Sequence, residues 1–322
     1  MTVAANPIET VIAEVRPEAT DILSFELRPR AGTILPPFTA GAHVEVYLPD
    51  LQIRSYSLLN DQNERDRYVI AVRRDANGRG GSRYMHDRLG KGDALTISAP
   101  RNHFPLVEDA HHTVFIVGGI GVTPILSMVR RLEQIGRSWE MHFGARSPAH
   151  AAFYDYLRAF NSTTSSRVRF YFDGGVRDDM LDVGSLIAPL PSDTHLYCCG
   201  PLGMMDVFRG ATAARPAKTV HFEYFAGAAV GEPSGGFDVE LAQSGKTLTV
   251  RPGKTILEAM IEAGLDAPYS CREGVCGSCE TRVLAGIPDH RDLVLTASER
   301  ARGETMMICC SGSLSSKLVI DL

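Results

Sequence analysis

The cysteines near the end of the chain constrain its structure more than any other feature of the sequence. Five of the seven cysteines lie in the last fifth of the 322 residues, and none precedes Cys198. Three are spaced Cys271-x4-Cys276-x2-Cys279, and Cys309 follows after a further 29 residues. A C-x4-C-x2-C run with a distant fourth cysteine is the plant-type 2Fe-2S pattern, in which four thiolates hold two bridged irons. We therefore predict an iron–sulfur module with these four cysteines as its ligands.

Other interpretations of the cysteines stay open from the sequence alone. A structural zinc site usually pairs two short C-x2-C elements, and this sequence has one such pair. A set of buried free thiols is the other alternative. Cys310 adjoins Cys309 and could supply the fourth thiolate in its place. The segment TMMICCSGS is similar to the end of a ferredoxin, which favours Cys309 as the ligand and Cys310 as a packed thiol.

The charge and the hydropathy pattern exclude several classes of function. The formal net charge is −5, whereas a protein that binds a phosphate backbone carries a basic surface. No apolar run approaches the roughly 20 residues that cross a bilayer. The start of the chain, MTVAANPIETVIAEV, lacks the basic and apolar stretches of a secretory signal. We expect a cytoplasmic protein that binds neither nucleic acid nor membrane.

The first two parts of the chain differ in their hydrophobic pattern. Within residues 1–105, the segments HVEVYL, RYVIAV and DALTIS alternate with a period of two and are separated by Gly- and Pro-bearing turns, which predicts a small antiparallel β-barrel. Within residues 106–228, apolar strands alternate with helical stretches at 151–160 and 204–212. That alternation predicts a parallel α/β sheet with ligands at the carboxyl ends of its strands.

The last part of the chain follows a short run of small residues. Residues 229–236 read as a flexible linker. Residues 237–322 begin with a hairpin pattern that turns near Ser244-Gly245, followed by the helical pattern KTILEAMIEAG and then the cysteines. The sequence therefore predicts three folded segments in the order barrel, α/β domain and iron–sulfur domain.

Two motifs in the barrel segment are suited to a flavin phosphate and ring. Arg54-Ser55-Tyr56-Ser57 ends a strand, and it combines a guanidinium for phosphate with an aromatic ring that can lie against a flavin. Gly80-Gly81-Ser82 opens a predicted helix whose first amides would attract a phosphate. Each motif by itself is also compatible with an ordinary strand end or turn.

Two glycine turns in the α/β segment suggest a nicotinamide nucleotide. Residues 117–124, VGGIGVTP, follow an apolar strand and open a helix, and Cys199-Gly200-Pro201 ends a later strand on the same edge. Asp173 follows another strand and could bind a ribose hydroxyl while repelling a 2′-phosphate, which favours NADH. Arg146 could instead hold that phosphate, so the two side chains point to opposite preferences.

In this order, the motifs resemble those of the phthalate dioxygenase reductase family, which includes the reductases of vanillate O-demethylase and related Rieske oxygenase systems. The resemblance covers essentially the whole chain. The segments that carry it are RSYSLLND, YVIAVRRDANGRGGS, PRNHFPL, VGGIGVTPILSM, YCCGP, HFEYF, CREGVCGSC, DHRDLVL and MMICCS. It implies a barrel related to ferredoxin–NADP reductase that binds FMN, an α/β domain that binds NAD, and a C-terminal β-grasp ferredoxin domain of the plant type.

The resemblance also assigns roles to individual residues. FMN would be lined by Arg54, Ser55, Tyr56, Ser57, Ala71, Val72 and Arg73, with Gly80, Gly81 and Ser82 at its phosphate. Thr123, like Ser57, would lie near the flavin, and Phe225 would cover the ring. NADH would be surrounded by Gly119, Gly121, Pro124, Arg146, Asp173, Cys199 and Gly200. Ser55 stands where threonine is common in the family, which affects only fine contacts.

The implied function is that of an electron-transfer reductase, in which electrons pass from NADH through FMN and the 2Fe-2S cluster to a Rieske-type terminal oxygenase. The resemblance implies a monomer, and no acid–base side chain is expected in catalysis. A stand-alone NADH:acceptor reductase for quinones or ferric ions is an alternative. A diiron monooxygenase as partner and a zinc-stabilised binding module without enzyme activity are two others.

Overall fold

The computed structural model describes residues 7–30, 33–49, 53–76, 78, 80–161, 167–176, 180–225, 236–269 and 271–322. The chain divides into two compact units, one ending at Glu223 and one beginning at Tyr224. The predicted linker, 229–236, lies outside the described residues except for Gly236.

The first unit begins with an antiparallel sheet of six strands in the order β4-β3-β6-β1-β2-β5. Strands β4 and β5 stand at opposite ends of this order and approach each other, so the sheet curls into the expected barrel. Helix α1 lies between β5 and β6. The bounds are β1 Ile8–Ala19, β2 Ile22–Pro29, β3 His43–Tyr47, β4 Ile53–Ser57, β5 Tyr68–Arg73, α1 Gly81–Arg88 and β6 Ala94–Ile97.

The same unit continues with a parallel sheet of five strands in the order β11-β10-β7-β8-β9. Strand β7 is buried from its second residue to its last, which explains why its sequence is a continuous apolar run rather than an alternating one. The bounds are β7 His112–Gly118, α2 Val122–Gln134, β8 Ser138–Ala145, α3 Tyr154–Phe160, β9 Arg167–Phe172, α4 Val183–Ile187, β10 His195–Cys199, α5 Leu202–Thr212 and β11 Val220–Glu223.

Helix α3 begins later than the helix predicted over 151–160. Residues Pro148–His150 form a separate 3₁₀ turn, and Phe153 has a left-handed backbone with φ of 59°. A left-handed residue cannot continue a right-handed helix. The helix therefore begins at Tyr154, and the prediction for 151–153 was wrong.

The barrel and the parallel sheet share one hydrophobic core. Ala71 of β5 and Phe104, which follows β6, belong to the same buried cluster as Val117 of β7 and Val122 of α2. The turn Gly119–Gly121 also approaches β5. This shared core brings the strand predicted to line the flavin next to the turn predicted to bind the nucleotide.

The second unit has its own core around a mixed sheet in the order β13-β12-β18-β14-β16. Strand β12 alternates buried and half-buried residues and pairs with β13 in the predicted hairpin. Its parallel pairing with β18 gives the expected β-grasp arrangement. The bounds are β12 Phe237–Leu241, β13 Lys246–Val250, α6 Ile256–Glu262, β14 Glu280–Ala285, β15 Pro288–Asp289, α7 Ala297–Arg302, β16 Thr305–Met307, β17 Gly312–Ser313 and β18 Lys317–Ile320.

Candidate functional site

The sulfur atoms of the four predicted ligands lie together in the second unit. The Cys271 thiol is within hydrogen-bonding reach of the Cys276 and Cys309 thiols, and Cys309 also reaches Cys279. The backbone N–H of Glu273 donates to Cys271 Sγ at 3.3 Å. The four cysteines therefore form one group of sulfurs, although 29 residues lie between Cys279 and Cys309 in the sequence.

The contacts among these sulfurs shift their acidity in opposite directions. The thiols of Cys276 and Cys309, together with the N–H groups of Val275 and Glu273, lower the pKa of Cys271 well below its usual value. The pKa of Cys309 is raised because its thiol donates to Cys271 and Cys279. Protein contacts alone thus stabilise the Cys271 thiolate, and a thiolate is the form that binds iron.

Gly274 lies at the tightest point of the loop that joins the first two of these cysteines. Its φ is +70°, and a Cβ there would overlap Cys310 Sγ and lie 3.1 Å from the Cα of Asp292. The Gly274 carbonyl accepts a hydrogen bond from Leu293 N–H at 2.8 Å. Cys310 therefore packs against the loop and also contacts the Cys309 thiol, while Cys309 reaches Cys271 and Cys279.

Asp292 supports this loop from behind, and sequence reasoning did not single it out. The residue is 1 % exposed, and one carboxylate oxygen accepts the N–H groups of Val294 and Leu295 at 3.0 and 2.7 Å. Arg300 of α7 donates to the Asp292 carbonyl. The only hint in the sequence was the segment DHRDLVL, which carried part of the resemblance but no assigned role.

The donor set fits a two-iron cluster on its own chemistry. The four thiols are linked by sulfur contacts, and backbone N–H groups of the loop donate to Cys271, which suits an iron–sulfur centre. Within the described ranges, no three His, Cys, Asp or Glu side chains have the geometry of a single-ion site. The fit therefore rests on the sulfur contacts, and the ligand roles stay predictions.

Arg54 lies directly against the start of α1 in the first unit. A Cβ at Gly81 would be 2.8 Å from Arg54 Nε and 3.2 Å from its Cζ, so the guanidinium lies beside the first turn of the helix. The Ser82 hydroxyl accepts the Asp75 N–H at 3.0 Å, which anchors the same turn. A guanidinium beside the open N–H groups of a helix is suited to a phosphate. The residues predicted for the FMN phosphate, Gly80 included, are therefore brought together.

The remaining predicted flavin residues lie on β4 and β5. Ser57 is buried, Tyr56 is half-buried and Ser55 is exposed. On β5, Ala71 and Val72 are buried and Arg73 is exposed. His86 of α1 bonds the Val72 carbonyl at 2.8 Å, so helix and strand are held together. The barrel brings these strands to the same side as Arg54 because β4 and β5 approach each other.

The two glycine turns of the α/β segment pack directly against each other. A Cβ at Gly121 would overlap the Cys199 carbonyl, and one at Gly200 would be 2.7 Å from Met204 Sδ. The space beside Gly119 is open instead. Close backbone packing thus explains Gly121 and Gly200, and Gly119 is the position that leaves room for a ligand. Pro124 lies in the first turn of α2, as expected.

Thr123 and Cys199 are both buried at this edge. The Thr123 hydroxyl donates to the Ile120 carbonyl at 3.1 Å, within its own turn. Burial, together with the nearby charge of Glu223, raises the pKa of Cys199 well above its usual value. Glu223 ends β11 opposite Cys199 in the strand register. Sequence reasoning did not predict this charge beside Cys199, because nothing in HFEYF indicates that its glutamate lies there.

Arg146 and Asp173 meet at the carboxyl ends of β8 and β9. Asp173 Oδ1 accepts the Gly175 N–H at 2.7 Å, and the Arg146 carbonyl accepts the Gly174 N–H at 2.9 Å. The Arg146 side chain runs past Gly175, since a Cβ there would be 3.7 Å from Arg146 Nε. Both side chains therefore lie at the predicted nucleotide edge, and the choice between NADH and NADPH stays a prediction.

Phe225, the residue predicted to cover the flavin ring, belongs to the second unit. It lies past β11, in the unit that begins at Tyr224, and is 38 % exposed. Its role as a cover for the flavin ring stays a prediction.

Comparison with known proteins agrees with this organisation. Residues 115–210 match an oxidoreductase NAD-binding domain, and residues 239–312 match a 2Fe-2S iron-sulfur cluster binding domain. Phthalate dioxygenase reductase of Burkholderia cepacia is 42% identical over 313 residues, covering 97% of this chain and 96% of its own length.

The chain belongs to the phthalate dioxygenase reductase family.

A solved phthalate dioxygenase reductase, described as a modular structure for electron transfer from pyridine nucleotides to 2Fe-2S, has a TM-score of 0.80 and 41% identity. The similarity covers 98% of both chains. Tetrachlorobenzoquinone reductase of Sphingobium chlorophenolicum is 47% identical over 322 residues, covering 98% of this chain and 99% of that one. As a member of the phthalate dioxygenase reductase family, the chain is an oxidoreductase with the predicted fold and domain types.

No helix in the described ranges combines the length and apolarity needed to cross a bilayer.

Proposed function

We propose that this chain is the reductase component of a two-component oxygenase and delivers electrons from NADH to a Rieske-type terminal oxygenase. FMN and a 2Fe-2S cluster are its resident cofactors in this proposal. The observation that carries it is the presence of an NAD-binding domain and a 2Fe-2S domain in one chain of this family. We further propose that the protein acts as a monomer in the cytoplasm, where its cysteines form no disulfides and four of them are available to hold the cluster.

The chemistry that FMN and the cluster supply when bound is the conversion of a two-electron donor into single-electron transfers. The protein's own task is to bind, orient and shield. Arg54 and the first turn of α1 would hold the FMN phosphate. Tyr56 and Ser57 on β4, with Ala71 to Arg73 on β5, would border the flavin ring.

NADH is the substrate, and the edge formed by the two glycine turns would receive it. The open space beside Gly119 admits the nucleotide, while Thr123, at the start of α2, donates to Ile120 of the turn that approaches β5. Asp173 favours a free ribose hydroxyl over a 2′-phosphate. No side chain is required to move a proton in the hydride step, which is consistent with the buried, protonated Cys199 at this edge.

The four thiols of the second unit would hold the cluster. The N–H of Glu273 stabilises the charge on Cys271, and the buried turn at Asp292 supports the loop from outside. Hydrogen bonds to sulfur and exclusion of water both influence a cluster's potential.

The test is to purify the chain and measure iron, acid-labile sulfide and flavin, and then to follow bleaching of the colour by NADH without oxygen. We expect a yellow-brown protein with FMN that is bleached by NADH in preference to NADPH. Coupling is then tested with the oxygenase that co-purifies from the source cell. A colourless protein with zinc but without iron would contradict the proposal.

A stand-alone quinone reductase is the second candidate, and the similarity to tetrachlorobenzoquinone reductase favours it. The same purified protein distinguishes the two. Rapid NADH oxidation with quinones, together with failure to support turnover by any purified Rieske oxygenase, would favour the second candidate.

A further inference from the structure

A short chain of bonds joins the nucleotide turn to the flavin strand in the first unit. The Ser127 hydroxyl of α2 donates to the Pro124 carbonyl at 2.8 Å and accepts the Gly41 N–H at 3.1 Å. The next residue, Ala42, accepts the Leu58 N–H at 2.8 Å through its carbonyl. Leu58 directly follows Ser57, so four residues connect the two predicted binding motifs.

The barrel end of this connection is rigid. Gly41 has a φ of +94°, and a Cβ there would overlap the Phe104 carbonyl, so only glycine fits. Asn102 donates to Thr39 Oγ1 at 2.7 Å and to the Ala40 carbonyl at 2.9 Å, which holds the turn before Gly41. The direction of the Gly41 N–H is therefore fixed, and its acceptor lies on α2.

Ser127 is the only one of these four residues that takes part in the connection through a side-chain atom. It is 1 % exposed. A serine inside a helix commonly donates a hydrogen bond from its hydroxyl to a carbonyl three or four residues earlier. That leaves the oxygen lone pairs for a second element, here Gly41. One buried oxygen thus binds both the first turn of α2 and the barrel.

We propose that Ser127 is a positioning residue that sets the spacing between the turn that receives NADH and the strand that borders FMN. This rests on the proposed function, because it concerns hydride transfer between those two groups. A displacement of about 1 Å between reacting groups can cost a factor of about 100 in rate. The loss of one buried link is expected to cost less, about tenfold.

The test compares Ser127→Ala with the unaltered protein and with Thr212→Val as a matched control. Thr212 is also a buried hydroxyl that donates to a carbonyl of its own helix, Phe208 of α5, at 2.8 Å. For each protein the rate of bleaching per bound flavin is measured at saturating NADH, with NADH and with its C4-deuterated form. Dissociation constants for FMN and NADH are measured separately.

We expect Ser127→Ala to bleach about tenfold more slowly, with a larger deuterium effect and dissociation constants within about twofold of the unaltered protein. The Thr212→Val rate should stay unchanged. Without cofactors, amide exchange of the peptide containing Gly41 should also be faster in Ser127→Ala.

A normal rate per bound flavin in Ser127→Ala would overturn the positioning role, even if the variant were less stable. Failure of the unaltered protein to bleach with NADH would overturn the proposed function as well, so the two failures are distinguishable. If Ser127→Ala does not fold, Ser127→Cys keeps the volume with a weaker hydrogen-bonding group, and the same two rates decide.

Discussion

Gly274 shows how one residue without a side chain holds the ligand loop against the rest of the second unit. Cys310 Sγ and the backbone of Asp292 occupy the space that a side chain at Gly274 would need. The loop cannot move outward without also breaking the bond from Leu293 N–H to the Gly274 carbonyl. Cys310, which packs against this glycine, also contacts the Cys309 thiol.

Substitution Gly274→Ala is expected to abolish cluster binding, because its Cβ would overlap Cys310 Sγ in addition to the strain at a φ of +70°. Iron and sulfide content and visible absorbance measure the loss. Gly277→Ala is the matched control, since its φ is +76° but its nearest neighbour, Val294 Cγ1, is 3.6 Å away. It bears only the strain, roughly 1–2 kcal/mol, and should retain most of the cluster.

Removal of the obstructing thiol provides a further check on the same residue. Cys310→Ala alone should keep the cluster, because Cys309 is the predicted ligand. The double variant Gly274→Ala with Cys310→Ala should recover part of the iron content. Complete cluster loss in Cys310→Ala would instead make Cys310 the fourth ligand.

Among the elements, the start of α1 is suited to a phosphate only together with the neighbouring strand β4. The helix has only eight residues, and its first turn carries no side-chain cap. Arg54 of β4 lies against Gly81 and adds a full positive charge to the partial charge of the helix end. The predicted phosphate site therefore depends on the barrel bringing β4 beside α1.

Substitution Arg54→Gln is expected to weaken FMN binding by roughly 10- to 150-fold, which corresponds to the loss of about 1.5–3 kcal/mol for hydrogen bonds to a charged group. Fluorescence titration of the apoprotein with FMN measures the effect. Arg74→Gln is the control, because Arg74 pairs with Asp87 at the other end of α1 at 3.1 Å. Equal affinities of the two variants would refute the phosphate role of Arg54.

Two strands of the first unit carry histidines that burial keeps neutral. Burial lowers the pKa of His43 on β3 and of His221 on β11 from 6.5 to about 4. These two histidines therefore bind protons near pH 6.5 in the unfolded chain but only near pH 4 in the folded chain. Stability is complete above about pH 6.5 and falls as the pH decreases towards 4.

For His43, which is 6 % exposed, the difference corresponds to about 3 kcal/mol of unfolding free energy at the acid end of this range. Urea unfolding at pH 7.5, 6 and 5 measures the decline. His43→Gln should make the profile flatter, whereas the exposed His111→Gln should leave it unchanged. A pH-independent free energy over this range would contradict the prediction.

At the scale of the whole molecule, the two units are built around separate cores. The barrel and the parallel sheet share buried residues, whereas the second unit has a core of its own that contains Cys279 and Cys309. Loss of the cluster is therefore expected to disturb the second unit without disturbing the site for FMN and NADH.

Substitution Cys276→Ser is expected to remove the cluster and leave the rate of FMN bleaching by NADH within about twofold of the unaltered protein. Electron delivery to the oxygenase should fall to background, because the single-electron carrier is missing. Stopped-flow absorbance follows the first step, and oxygenase turnover follows the second. Loss of FMN reduction as well would show that the units are not independent.

The order of the modules, the cysteine motif and the strand types could all be predicted, because each depends on residues close together in the chain. The alternation in β12 and the apolar run of β7 are examples. The packing of Asp292 against Gly274 and the hydrogen bond from Gly41 to Ser127, which is 86 positions away, could be seen only in the folded chain. Local periodicity records which face of an element is buried. Which distant backbone that face meets depends on how all the elements pack, as does the predicted phosphate site between Arg54 and α1.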